Sequence, residues 1–264
     1  MFFVFNKDKI MSYIVTVFTV IVLFLTASAF GTNEAVKTST NTSKLLPIYS
    51  VDTEETKVAI TINCAWNADD IDMILETLKT QDVKVTFFMV GDWVEKNEEV
   101  VKKIYEAGHE IGNHSYNHPH VNNLSLEKNK EQIQKCSDLI KNITGQGTKL
   151  YRGPYGEYNN IVIEAAESLG HTTIQWSIDS LDYKGLTGDQ MWERIEPKLE
   201  NGSIILMHNG TENTALSLND IINKIKEKGY TVVPVSELIY SENYTIDNNG
   251  TQHNKNSWKL CELF

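Results

Sequence analysis

The 264-residue sequence holds only two arginines, Arg152 and Arg194, and three cysteines, Cys64, Cys136 and Cys261. An odd, sparse set of thiols gives no disulfide framework, and with no C-x-x-C pair a thiolate metal site is not expected. Positive charge is scarce: 24 Lys+Arg stand against 35 Asp+Glu, for a net charge of −11. That balance argues against a nucleic-acid partner, because phosphate binding needs a basic surface. No G-x-G-x-x-G follows the first β-like run, so a dinucleotide-binding fold loses ground. One further absence is local. The stretch Thr61–Asp70, TINCAWNADD, reads as a strand handing over to a loop. Such a loop is where an α/β enzyme keeps its chemistry. Its first half nevertheless contains no acid, only Asn63 and Cys64 among candidate groups.

A hydrophobic content of 41% and a charged content of 22% fit a globular protein with one large α/β domain and extensions. Lys7 and Lys9 precede an uncharged run from Tyr13 to Phe30 that ends in Ala27-Ser28-Ala29, an A-x-A pattern. Residues 1–30 read as an export signal or, if uncleaved, a membrane anchor, since a span needs ~20 residues. Residues 31–56 are rich in Thr, Ser, Asn and Glu and read as a polar stalk. The stretch from about Ser241 reads as a polar tail.

Between them, short β-branched or aromatic runs alternate with amphipathic segments of helical length. Strands are expected at Val58–Ile62, Val83–Val90, His109–Gly112, Lys149–Arg152, Thr172–Trp176, Ser203–Met207 and Thr231–Pro234. Helices are expected near Asp70–Thr80, Val94–Ala107, Leu126–Ile143, Ile161–Leu169, Thr187–Leu199 and Ala215–Lys228, with Ser125 and Thr187 as N-caps. Repeated strand–helix alternation implies parallel strands with crossover helices. Candidate chemical residues follow several different strands, and a barrel gathers all those strand ends around one mouth.

The densest chemistry is GHEIGNHSYNHPH, which carries four of the seven histidines. His114 and His118 can aim two imidazoles at one divalent metal, with Asn113 and Ser115 fixing the rings. His109 and His120 are weaker candidates. An oxygen ligand is then expected, and Asp69 and Asp70 are the natural donors, although both could instead serve the start of the following helix. Arg152, in YRGPYGEYN, is placed to hold a carboxylate. Asp179 and Asp182 follow one strand and His208 ends another, which makes His208 a candidate proton donor.

In their order, VAIT, KVTFFMVGDW, GHEIGNHSYNHPH, YRGPYGEYN, WSIDSLDY and GSIILMHN resemble the polysaccharide deacetylases, the NodB-homology or carbohydrate esterase family 4 proteins. The resemblance runs from about Lys57 to Leu238 and is nearest to the secreted, sporulation-associated subgroup. It implies a distorted (β/α)7 barrel, with residues 57–240 as the catalytic domain. It implies one divalent metal, zinc or cobalt, and removal of N-acetyl groups from amino sugars of peptidoglycan or a chitin-like polymer. Carried over, His114 and His118 are metal ligands, Arg152 orients the base, Asp182 tunes His208, and His208 is the acid. Tyr155, Trp176 and Tyr183 are the candidates for contact with sugar. The family's first motif, T-F-D-D-G, supplies a base and a metal ligand where this sequence has Asn63 and Cys64. An amide accepts no proton at neutral pH. Two readings follow: a hydrolase with a rearranged first motif, in which Asp69, Asp70 or Cys64 completes the metal site, or a degenerate member that binds cell-wall glycan.

Overall fold

The computed structural model describes residues 7–30 and 44–255, and the chain divides into two units, Met1–Ser43 and Lys44–Phe264. The first unit contains helix α1 (Lys7–Phe30). Described α1 side chains end at Val22, and among the described residues no helix is long and apolar enough to cross a membrane. Half of the expected polar stalk, residues 31–43, lies outside the described residues, as does the end of the tail.

The second unit runs β1 (Ser50–Val51), β2 (Lys57–Cys64), α2 (Ile71–Thr80), β3 (Thr86–Met89), α3 (Gly91–Lys96), α4 (Glu98–Glu106) and β4 (Glu110–Asn113). It continues through α5 (Leu126–Thr144), β5 (Leu150–Tyr151), α6 (Asn160–Ser168), β6 (Thr172–Thr173), β7 (Ile178–Asp179), α7 (Gly188–Ile195) and β8 (Ile204–His208). It closes with α8 (Thr214–Glu227), β9 (Thr231–Val232), α9 (Val235–Leu238), β10 (Tyr244–Ile246) and β11 (Thr251–Asn254). The main sheet has the parallel order β6-β5-β4-β3-β2-β8-β7, and β9 pairs with the start of β2. This is the half-barrel sheet of a distorted (β/α)7 fold.

Period-two alternation along β2 sets the layers. Val58, Ile60, Ile62 and Cys64 join the cluster formed with the helices, which includes Ile74, Leu78, Ile221 and Ile222. Ala59 turns the other way, into a second cluster with Phe88, Ile174 and Ile204. Thr61 and Asn63 share the Ala59 face, two and four residues further along the strand. In β8 the same alternation sends Ile205 and Met207 to the helices and leaves Ile204, Leu206 and His208 on the inner face. Asn63 and His208 are register partners in adjacent parallel strands, so they stand side by side at the C-terminal edge of the sheet.

Ser125 and Thr187 cap their helices as the sequence predicts: each side chain accepts an N–H from the first turn, and Thr187 forms a capping box with Gln190. The helix expected over Val94–Ala107 is instead two, α3 and α4. Asn97 leaves helical geometry at φ −133°, ψ 37°, and its side chain donates to the carbonyl of Trp93.

Both domain edges need correction. Residues expected in the stalk form β1, which pairs with β11. Residues expected in the tail form the β10–β11 hairpin, so β1-β11-β10 is a second small sheet. His253 pins it, with Nδ1 2.8 Å from Asp52 and Nε2 3.2 Å from Asp247. Gly202 permits the approach of β1, because a Cβ there would fall on the carbonyl oxygen of Val51 and its φ is +78°.

Candidate active site

The C-terminal ends of these strands enclose a cavity of about 490 Å³. Its lining includes Asn63, Trp66, His114, His118, Tyr155, Trp176, Asp179, Tyr183, Leu206 and His208. Sequence separations of more than 140 residues are closed by the parallel register alone.

His114 follows β4 directly and is 2% exposed. Its backbone N–H donates to the Met89 carbonyl, and its Nδ1 lies 2.8 Å from the carbonyl of Arg152. A carbonyl only accepts, so Nδ1 carries the proton and Nε2 keeps a free lone pair. Burial, with His118 adding to it, holds the imidazole well below its usual pKa. His118 is likewise lowered by burial, so both rings are neutral at pH 7. The two ring centroids are 5.0 Å apart.

Asn113 and Ser115 do not fix the rings, contrary to the sequence expectation. Asn113 instead holds the backbone turn, accepting from Ser115 N–H and donating to the Ile133 carbonyl and the Ser137 hydroxyl. Ser115 and His118 both adopt positive φ, 69° and 55°, within this braced turn. His109 sits at the far end of β4, where burial lowers it to about 4, and His120 pairs with Glu157 outside the cavity.

Asp69 and Asp70 are not brought to the histidine pair, which corrects their expected role as metal ligands. Asp69 is exposed. Asp70 turns toward the loop after β8, accepting from Gly210 N–H at 2.8 Å and from the Asn209 amide at 3.3 Å. Asp70 is the N-cap residue of α2, yet its side chain makes no capping bond. Cys64 points away from Asn63 into the helix-facing core, and its burial raises the thiol pKa. Among the described residues no three His, Cys, Asp or Glu side chains form a metal-holding group. Two neutral imidazoles fit two ligand positions, but the oxygen ligand is missing. The donor set does not complete the metal centre that the resemblance implies.

Arg152 is not a surface turn residue: it is fully buried under the cavity floor. Its guanidinium donates to Thr61 Oγ1 at 2.8 Å, Asn63 Oδ1 at 3.0 Å and the Gln175 carbonyl at 2.9 Å. Phe88 covers it, with the ring centroid 4.1 Å away. Desolvation lowers its pKa to about 9, which leaves it charged at neutral pH. Among the described residues no carboxylate is its partner. A cation that would ordinarily be paired is buried against an amide.

Asp182 and His208 meet as expected. Asp182 is fully buried and accepts four hydrogen bonds, from His208 Nδ1 (2.8 Å), His208 N (2.5 Å), Tyr183 N (2.9 Å) and Thr214 Oγ1 (2.7 Å). The His208 ring is thereby fixed with Nε2 available to the cavity. Trp66 and Tyr183 flank this ring at centroid distances of 5.2 and 5.3 Å. Tyr155 stands across the mouth, edge-on to His118 and stacked on His120. Trp66, Tyr155 and Tyr183 are 50%, 60% and 44% exposed, an aromatic rim of the kind sugars stack on. The sequence reading did not assign Trp66, Leu206 or Thr61 to the site. Thr61 was recoverable, since it lies two residues before Asn63 on the same strand face.

The family model for polysaccharide deacetylases matches residues 50–174. Among curated proteins, the uncharacterised YlxY of Bacillus subtilis is 38% identical over 193 residues, covering 73% of this chain and 60% of that protein. A peptidoglycan-N-acetylglucosamine deacetylase of Bacillus cereus is 31% identical, covering 69% of this chain and 68% of that protein. The chain spans only 40% of the Listeria monocytogenes peptidoglycan-N-acetylglucosamine deacetylase, at 34% identity. Among solved structures, a carbohydrate esterase family 4 pseudoenzyme from Bacillus anthracis superposes with a TM-score of 0.71 at 38% identity, covering 73% of this chain and 68% of that one. A mutant of that pseudoenzyme has restored enzymatic activity. With its strand order, its histidine pair and its Asp182–His208 couple, the chain belongs to the polysaccharide deacetylase family, the NodB-homology proteins of carbohydrate esterase family 4.

Proposed function

We propose that this chain is an exported cell-wall protein that binds peptidoglycan glycan through a deacetylase site that has lost its general base. The observation that carries the reading is the amide of Asn63, bonded to Arg152 where the resemblance expects a carboxylate. An amide cannot take a proton from water at neutral pH, and losing such a base typically costs ~10²–10⁴-fold in rate. The rim of Trp66, Tyr155 and Tyr183 supports retained sugar binding. Support for the polymer comes from relatives that are peptidoglycan deacetylases. Support for a site without turnover comes from the Bacillus anthracis pseudoenzyme.

The second reading is a working zinc- or cobalt-dependent N-deacetylase. It is favoured by one observation, the His208–Asp182 pair at 2.8 Å beside two neutral imidazoles. The two readings give opposite results in one experiment. The purified full chain is incubated with peptidoglycan sacculi and excess zinc, then centrifuged, and the supernatant is assayed for acetate. The degenerate reading expects the protein in the pellet, no acetate, and less than one zinc per chain after desalting. Acetate release by the unmodified chain sinks it, and failure to sediment removes the glycan partner. The N-terminal segment is proposed to direct export, so fractionated cells should hold the protein outside the cytoplasm.

A further inference from the structure

The polarity of Asn63 goes beyond the loss of a base. Every N–H of a guanidinium donates and none accepts, so the Asn63 atom facing Arg152 must be the carbonyl Oδ1. The amide orientation, which electron density alone rarely decides, is fixed by chemistry here. Nδ2 is then turned to the cavity. Asn63 is 5% exposed, lines the cavity, and its Nδ2 has no hydrogen-bond partner among the described residues. A position that is an acceptor when it holds a carboxylate has become a donor.

Resting on the glycan-binding reading above, we infer that the cavity holds an intact N-acetyl group and rejects the free amine, so that the chain reads the acetylated state of its glycan. The acetyl carbonyl is an acceptor and takes the Asn63 Nδ2–H. The buried Leu206 and the half-buried Trp176 give the methyl group an apolar wall. After deacetylation the same sugar position carries an amine, protonated below about pH 7.7. An ammonium has three donors and no acceptor, so it leaves the Asn63 donor unmatched. It also comes into the field of Arg152, buried behind Asn63, which has no carboxylate partner among the described residues. The groups that act in the opposite sense are His114, His118, His208 and Asp179. The Asp179 carboxylate is already engaged by Leu181 N–H at 2.9 Å and the Tyr183 hydroxyl at 3.4 Å.

Titration calorimetry at pH 6.5 in the presence of EDTA tests this. The two ligands are peptide-free glycan strands from peptidoglycan and the same strands after enzymatic N-deacetylation. The full-length protein is expected to prefer the acetylated strands by at least about tenfold, the worth of one well-made hydrogen bond. Asn63→Asp, which gives Arg152 a partner and replaces the donor with an acceptor, is expected to abolish or invert that preference. Equal affinity of the unmodified chain for both ligands overturns the inference while leaving glycan binding intact. Binding of neither overturns both. A preference unchanged in Asn63→Asp shows that another group reads the acetyl and overturns the role given to Asn63.

Discussion

Replacing Arg152 with alanine is expected to destabilise the folded chain by about 3–5 kcal/mol, measured as the shift in urea midpoint at constant slope. Arg152 is among the largest fully buried side chains of the described residues, and its removal opens a cavity beneath β2 and Phe88. Thr61, Asn63 and the Gln175 carbonyl each lose a donor. Each buried acceptor left unpaired costs about 1–3 kcal/mol. Relief works against these losses, because an unpaired buried cation is itself unfavourable. The comparison with Arg152→Met separates the contributions. Methionine fills much of the volume and carries no charge, so its cost is expected to be about 1–2 kcal/mol, well below that of alanine. Equal costs for the two variants would show that what both lose, the hydrogen bonds and the charge, and not the cavity, decides the stability of this floor.

Asn63→Asp is expected to stabilise the fold by about 1–3 kcal/mol at pH 7, since it supplies the carboxylate that Arg152 lacks. Most substitutions at buried polar positions destabilise, so a gain here is diagnostic. The sign of its pH dependence follows from the pairing. A carboxylate beside a buried guanidinium has a folded-state pKa below its unfolded value of about 3.9. The gain is therefore fully present above the unfolded pKa and lost as the pH falls through the folded one. Melting curves of the variant and the unmodified chain should be displaced in parallel from pH 5 to 8, begin to approach each other only below about pH 4, and converge once the pH is beneath the folded-state pKa. A destabilised variant would mean that desolvating the carboxylate outweighs its attraction to Arg152.

The barrel was legible because its strands are short apolar runs bounded by glycine-ended helices, and KVAITINC reads as a buried strand on composition alone. Ser125 and Thr187 were legible because capping is a local interaction. The split at Asn97 was hidden by an amphipathic pattern that runs unbroken across α3 and α4. The β10–β11 hairpin was hidden by its polarity. Only Gln252 of its strand residues is fully buried, and its amide is satisfied by both backbone groups of Tyr240. The Asn249-Gly250 pair that closes its turn was nonetheless a readable signal.

At the site, the histidine pair and His208 were visible as residues at strand ends. The neighbourhood of Asn63 and His208 needed the β2–β8 register. Asp69 and Asp70 looked like metal donors because they are close in sequence to the empty motif. The alternation of β2 and the turn into α2 instead carry Asp70 to Gly210 and bury Cys64 on the other face. Sequence proximity cannot report which face of a strand a loop leaves from.

The central claim is that Asn63 stands where the general base would, in a site that keeps two neutral imidazoles and the Asp182–His208 couple. Acetate release from peptidoglycan glycan strands, with zinc in excess, tests it in two proteins that differ by one atom's worth of chemistry. The unmodified chain is expected to release no acetate above the buffer control. Asn63→Asp is expected to release it at least ~10²-fold faster, the low end of what a positioned base contributes. Equal turnover by the two proteins, at any rate above the control, would contradict the account.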